Sequence, residues 1–413
     1  MTMSQQANDT SRNPGWTSTA LSQLSSVVRG ASPRPAGDPK YFNGDFIPWL
    51  TVAALTNIPE SKTIVFETAG KLTEAGAQFS RTLTPGTVII ANSGATLGVA
   101  KILGIRCCAN DGIAALLDLC SDVDARYIVY QINSQTDRLR TVVATGNGQP
   151  NLNTGLIGAI EIDLPCKDEQ SAIADALTDA DALIDSLEQL LAKKRQIKQG
   201  AMQELLTGKR RLPGFDGAWS FEELRNLVQT PVTDGPHTTP VFVDSGVPFL
   251  SVNNLVGNRI DLTDLRFITR EDDQIFAKKC KPQRGDVLLG KAASVGKVAI
   301  VEEDFDFNIW SPIALIRAGS SVVSKFLYYQ LQSRSVLTQI AVLTNSSSQG
   351  NIGMGDIEKL QITVPCVDEQ SAIAQVLSDM DADIAAVDDR LTKARAMKQA
   401  MAQVLLTGRV RLV

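Results

Sequence analysis

The chain has a single histidine, His237, and six cysteines with no C-x-x-C pair among them, so no Cys/His zinc site of the usual spacing can be written. Cys107, Cys108, Cys120, Cys166, Cys280 and Cys366 read as reduced thiols, and no metal site is expected. Unbroken apolar runs of the roughly 18 residues needed for a membrane helix are missing, as are a basic start and an apolar h-region at the N-terminus. An unexported, cytoplasmic protein is therefore expected. Basic charge is not in excess either. Forty Lys and Arg stand against 45 Asp and Glu, a formal net charge of −5, which excludes an indiscriminate polycation and confines any nucleic-acid contact to local faces. What is plentiful is apolar side chain: 44% of 413 residues, enough for two or three buried cores.

An internal duplication organises the chain. Residues 165–174 read PCKDEQSAIA and residues 365–374 read PCVDEQSAIA, nine of ten positions alike at an offset of 200. The register continues without a gap through Asp181 and Asp381, Lys198 and Lys398, to LLTG at 205–208 and 405–408. Upstream of each copy the likeness is weaker but keeps its order: PGWTSTALSQLSSVV (14–28) with GAWSFEELRNLV (217–228), and PGTVIIANSGATLGVAKI (85–102) with RGDVLLGKAASVGKVAIV (284–301). Four segments are expected: a globular unit over 1–165, a helix over 166–211, a second globular unit over 212–365 and a second helix over 366–413.

Each repeated helix offers a heptad seam. Ile173, Leu177, Ala180, Ile184, Leu187 and Leu191 step by alternating fours and threes, as do Ile373, Leu377, Met380, Ile384, Val387 and Leu391. A second stripe of Leu183, Leu190 and Ile197 widens the first helix's face, so a third surface is expected there. Pro165 and Pro365 end the preceding strands, the following Asp and Glu suit a helix N-terminus, and Gly208 and Gly408 are natural stops. Acidic residues crowd the first half of each helix and basic residues the second, which brings opposite charges together if the two run antiparallel. The acidic group Asp179, Asp181, Asp185, Asp379, Asp381 and Asp383 falls off the seam and reads as a solvated or partner-facing surface.

The globular units read as α+β. TVIIA (87–91) and DVLLG (286–290) have the look of buried strands, each followed by a glycine turn and a second strand. Short helices are expected at 17–28, 111–119, 123–134, 220–228 and 324–341. Enzyme signatures fail. In GKAASVGKV (290–298) five residues separate Gly290 from Gly296 rather than four, and Val298 stands where a P-loop needs Ser or Thr. His237 has no counterpart in the first half and reads as a loop residue or a DNA contact. Contacts to nucleic acid are expected from polar and basic loops, because Arg and Lys suit guanine edges or phosphates, Asn suits adenine, and Ser or Thr suit either. In the first unit these are Arg34, Lys40, Tyr41, Asn43, Asn92, Ser93 and Thr96. In the second they are His237, Thr238, Thr239, Asn253, Asn254, Lys278, Lys279, Lys281, Arg284, Lys291, Ser294, Lys297, Asn345, Ser346 and Ser347.

Taken together, the tandem arrangement, the Pro then Glu-Gln helix starts (Pro165, Glu169, Gln170; Pro365, Glu369, Gln370) and the LLTG endings resemble the specificity subunit of type I restriction-modification systems. The resemblance spans nearly the whole chain. It implies two α/β-mixed target recognition domains joined by two long antiparallel coiled-coil helices with pseudo-two-fold symmetry. Each domain would read one half of a bipartite, asymmetric double-stranded DNA target. The helices would set the gap and dock two methyltransferase subunits, through which restriction-translocase subunits join. It further implies a non-catalytic chain, with S-adenosylmethionine, ATP and Mg2+ bound by partner subunits only. A protein-only coiled-coil scaffold without base recognition is the alternative, and an autonomous DNA enzyme a third reading.

Overall fold

The computed structural model describes residues 15–144, 150–302, 304–345 and 350–412. The chain divides into two compact units, one of residues 1–190 and 387–413, the other of residues 191–386. Two 39-residue helices, Lys167–Leu205 and Val367–Leu405, are the longest elements, each about 58 Å at 1.5 Å per residue. The division falls inside both, so each unit holds a globular part, the first half of one helix and the last half of the other.

In the first unit a five-stranded sheet runs in the order Ser26–Arg29, Ile113–Leu117, Val88–Ala91, Ala100–Leu103, Ile64–Val65, antiparallel except for the last pair. Successive residues of a strand point to opposite faces. Val88, Ile90, Ala114 and Leu116 accordingly enter one core with Tyr127, Ile128, Ile173 and Leu177, while Ile89, Ala91, Ile113 and Ala115 enter another with Leu50, Leu55 and Leu83. Burial on both faces explains why VIIA reads as a continuous apolar run. A four-stranded sheet (Gly70–Leu72, Phe42–Leu50, Cys107–Ala109, Arg81–Leu83) belongs to the same unit.

The second unit repeats the central motif with Thr233–Asp234, Ile313–Ile316, Val287–Gly290 and Val298–Ile300. Val287 and Leu289 face the core that contains Phe326, Ile373 and Leu377, and Leu288, Ile313 and Leu315 face the core of Leu250 and Phe307. Three-stranded and two-stranded sheets (Arg266–Ile268, Val247–Leu250, Asn308–Ile309; Leu255–Val256 with Arg259–Ile260) complete it.

Several expected helices are corrected. Residues 17–28 form strand Thr17–Ala20, one helical turn Leu21–Leu24 and strand Ser26–Arg29. The first strand exists because it pairs with Glu161–Leu164, and Ser220–Glu223 pairs likewise with Gln361–Val364, each partner lying over 100 residues away. Residues 111–119 hold the strand Ile113–Leu117, whose alanines and leucines look helical in sequence but are buried in mid-sheet. Residues 324–341 are two helices, Ser324–Leu331 and Arg334–Asn345.

Within each unit the long helices run antiparallel. In the first, Asp181 pairs with Lys398 at 2.5 Å and Glu188 with Arg395 at 2.6 Å. In the second, Lys198 pairs with Asp381 at 2.6 Å and Lys194 with Asp383 at 2.8 Å. Along the seams Ile173, Leu177, Ile184, Leu187, Leu191, Ile373, Leu377, Val387 and Leu391 are buried, with Met380 and Ile384 half-buried. Ile173 and Ile373 pack into the globular cores rather than against a helix alone. Leu183, Leu190 and Ile197 are exposed.

Candidate nucleic-acid interface and domain anchors

The duplicated helix starts hold each globular part. Glu169, 1% exposed, accepts two bonds from Arg411 at 2.6 and 2.7 Å, and Glu369, fully buried, accepts two from Arg211 at the same distances. Each guanidinium also lies over a tryptophan ring, Arg411 over Trp16 at 5.7 Å and Arg211 over Trp219 at 5.6 Å. The planar fork of arginine suits both tasks at once, whereas a lysine could not make the two parallel bonds to the carboxylate. The Arg411 hydrogen bonds outweigh burial and hold the Glu169 carboxyl below its usual range. Gln170 and Gln370 bond back to the carbonyls of Pro165 and Pro365 at 3.0 and 2.9 Å, and accept from Asp124 N–H and Val323 N–H in the globular parts.

A second anchor sits about three turns on. Tyr130 Oη donates to Asp181 at 2.8 Å, and Asp181, 3% exposed, also receives Lys398. Its equivalent is Tyr329, Asp381 and Lys198, with the tyrosine bond again 2.8 Å. The neighbouring Gln131 and Gln330 donate to the carbonyls of Leu406 and Leu206, which satisfies groups that a helix C-terminus leaves unpaired. Asp181 is thus corrected from a solvated or partner-facing residue to an interior anchor, and Asp381 to a half-buried one. The repeated Tyr-Gln pair at 130–131 and 329–330 was the available signal, and its meaning lay in contacts the sequence does not display.

The proposed DNA contacts are of three kinds. Exposed and free to reach a ligand are Asn43, Thr238, Thr239, Asn253 and Lys278, with Lys40 over the ring of half-buried Tyr41 at 5.3 Å. Several cations are instead engaged by carboxylates: Arg34 with Asp111 (3.4 Å), Lys281 with Asp273 (2.8 Å) and Asp306 (2.6 Å), and Arg284 with Asp304 (2.7 Å). Lys279 and Lys291 (3.0 Å) both meet the fully buried Asp234, with His237 Nε2 3.2 Å from the same carboxylate. Burial pushes the Asp234 carboxyl up, but the two lysines outweigh it and hold it below the usual range. Lys297 Nζ is 3.4 Å from the Val252 carbonyl, Ser93, Thr96 and Ser294 are half-buried, and Thr96 shares a 3.3 Å hydroxyl contact with Thr56.

Two asparagines are corrected from contacts to framework. Asn254, 8% exposed, closes a capping box with Ser251 and donates to the carbonyls of Asp261 and Asp264. Asn92 is 1% exposed and donates to the Asp111 carbonyl at 3.2 Å. Asn345 ends the helix Arg334–Asn345, and Ser346 and Ser347 lie outside the described residues.

Sequence reasoning missed a pocket of about 590 Å3 in the first unit, lined by Arg29, Ser93, Asn110, Asp111, Gly112 and Arg140 among others. Arg29 Nε donates to the Asp111 carbonyl at 2.5 Å and Arg140 Nε to the Leu97 carbonyl at 2.9 Å. Both side chains are held by one nitrogen and both are exposed. The Oδ1 atoms of Asn92 and Asn110 are buried without a hydrogen-bond partner among the described residues. An orphaned buried acceptor costs about 1–3 kcal/mol, so at Asn110, which lines the pocket, a donor supplied by a ligand is favoured. Ser32 Oγ donates to the Asp111 carboxylate at 2.7 Å and keeps it below the usual range.

The type I restriction modification DNA specificity domain family matches residues 13–199 and 239–393. The chain is 23% identical over 266 residues to the EcoBI specificity subunit of Escherichia coli, covering 59% of this chain and 56% of that one, so it spans little more than half of that relative. Against the EcoKI specificity subunit of Escherichia coli K12 the identity is 23% over 415 residues, covering 95% and 88%. The MjaVIII specificity subunit of Methanocaldococcus jannaschii is 24% identical, covering 70% and 71%. In fold, the crystal structure of a type I restriction-modification S subunit from M. genitalium aligns with TM-score 0.63 over 97% of this chain and 98% of that one, at 12% identity. With each matched segment covering most of a globular part and most of a long helix, the chain belongs to the type I restriction-modification DNA specificity family.

Proposed function

We propose that this chain is the sequence-reading subunit of a type I restriction-modification complex, each globular part reading one half of a bipartite, asymmetric duplex target. The observation that carries the reading is the match of the specificity-domain family to both halves of an internally duplicated chain. A supporting feature is the contrast inside the duplication: the helix anchors recur residue for residue, whereas the loops at the glycine turns do not. Identical anchors with unlike loops suit two readers of unlike half-sites. The scaffold alternative has no use for that divergence and is not favoured.

On this reading the long helices set the gap between half-sites and carry the methyltransferase subunits. Leu183, Leu190 and Ile197, apolar and exposed on the first helix, suit a protein partner better than water. The chain itself performs no chemistry, and S-adenosylmethionine, ATP and Mg2+ belong to partner subunits. Lys279, Lys281, Lys291 and Arg284 already face carboxylates, so partner subunits supply much of the phosphate contact. The test is single-molecule methylation sequencing of DNA from cells with this chain and its cognate methyltransferase subunit, against cells with the methyltransferase alone. A split, asymmetric motif is expected only with the chain. Its absence from an assembled complex refutes base reading.

A further inference from the structure

The duplication supplies an internal control for finding base-reading residues. Strand pairing aligns the two sheets: Arg29 lies opposite Ala114 and Asp234 opposite Ala314, while Ala91 lies opposite Ile113 and Gly290 opposite Ile313. At Asn92 and Lys291 the backbone hydrogen bonds correspond. Asn92 N–H bonds the Gly112 carbonyl (3.0 Å) and its carbonyl receives Leu152 N–H (2.9 Å); Lys291 does the same with Pro312 and Ile352, both at 2.9 Å. Glycine is required after each strand, since a Cβ on Gly30 would stand 2.1 Å from the Asn110 carbonyl oxygen and one on Gly235 1.8 Å from that of Ile309. Yet the side chains are opposed in chemistry. Arg29 faces Asp234 in the alignment, Asn110 faces Trp310, Asp111 faces Ser311, and Asn92 faces Lys291.

Equal backbone with unlike side chains is what two readers built on one fold require where they touch bases. In the first unit Arg29, Asn110 and Asp111 line the pocket described above, while Asn92 is buried behind it. Arg29 is held through Nε, which leaves its two terminal nitrogens as a fork, and among the described residues none accepts from them. Asn110 has a buried Oδ1 that lacks a donor among the described residues. An arginine fork pairs with guanine O6 and N7, and a carbonyl-type oxygen accepts from the cytosine N4 amino group of the same base pair.

We propose that Arg29 and Asn110 read a G·C pair in the half-site recognised by the first unit, with Arg140, held in the same manner at the pocket rim, on a neighbouring phosphate. This rests on the sequence-reading function proposed above. In the second unit the equivalent place, where Lys279, Lys291 and His237 converge on Asp234, reads a different base pair.

The experiment is methylation-motif sequencing with the assembled chain and methyltransferase, comparing the native chain with Arg29→Ala, Arg29→Lys, Asn110→Ala and Arg140→Ala. Arg29→Lys keeps the charge, so loss of folding does not mimic the result, but an ammonium cannot form the fork. Expected is a motif in which one G·C position of one half-site becomes degenerate by about tenfold or more in the Arg29 and Asn110 variants. The other half-site and the gap stay as they were, and Arg140→Ala lowers methylation evenly with no change of motif. An unchanged motif in both Arg29 variants and Asn110→Ala overturns the pocket assignment. So does a uniform loss across all positions in Arg29→Lys. If the native complex itself yields no split motif, the sequence-reading function falls, and the pocket with it.

Discussion

Replacing Lys398 with methionine removes the cation from an interior ion pair while keeping most of the side-chain volume. The Asp181 side chain it leaves behind is 4% exposed and retains only the Tyr130 hydroxyl, at 2.8 Å, as a close donor among the described residues. Breaking a buried pair by removing one partner costs about 3–5 kcal/mol, because the remaining charge is stranded in a poorly solvated place. The equivalent change, Lys198→Met, strands Asp381, whose side chain is 28% exposed and partly hydrated, and the cost there is about 1 kcal/mol or less. Two positions related by the duplication should therefore respond unequally. Amide hydrogen exchange read by mass spectrometry reports each unit separately, which global unfolding of a two-unit chain does not. In Lys398→Met, protection over residues 173–187 should fall by roughly 100-fold or more at about 1.4 kcal/mol per decade, with residues 370–384 unaffected. The double variant Asp181→Asn with Lys398→Met should recover most of the loss, since no charge is left unpaired. Equal losses in the two single variants, or a double variant as weak as Lys398→Met, would refute the reasoning.

Two further outcomes concern pH. The Glu169 carboxyl sits below its ordinary value near 4.5 because of the Arg411 bonds, so its contribution is full above that value and is lost as pH falls through the folded one. Glu169→Gln should weaken the first unit at pH 7 and lessen its further loss between pH 5 and 3, measured by hydrogen exchange or chemical denaturation at each pH. Lys101, 3% exposed, is pushed by burial from 10.5 to about 8, against the opposite pull of Asp181 and Glu60. Between those values the unfolded chain binds the extra proton, so this lysine makes the first unit more stable as pH rises from about 8 towards 10. Lys101→Met should remove that slope relative to the native chain in a denaturation series from pH 7 to 10.

Much of the architecture was legible because duplication writes the same message twice. The heptad steps at Ile173–Leu191 and Ile373–Leu391, the helix-ending Gly208 and Gly408, and the VIIA and VLLG strands all follow from local period and turn chemistry. The strands Thr17–Ala20 and Ser220–Glu223 were not legible, since each is a strand only by virtue of a partner over 100 residues away. Ile113–Leu117 was misread because burial on both faces erases the alternation that distinguishes a strand. Among side chains, Glu169, Glu369, Asp181 and Asp381 were visible as repeated acids and were assigned to helix dipole or solvent. Their partners Arg411, Arg211, Lys398 and Lys198 lie 158 to 242 residues away.

By itself, the sequence determined that the chain is a duplicated half with paired rods of alternating apolar spacing, because repeats and periods are properties of neighbouring residues. Tertiary structure alone decided which charges are interior and which are free. It placed Asn92 and Asn254 in the framework, drew Lys279 and Lys291 onto Asp234, and brought Arg29 beside Asn110 across more than 80 residues of chain. The physical reason is that burial and hydrogen-bond partnership depend on which strands meet, and the energy of a charge depends on the water and counter-charge around it rather than on its place in the chain.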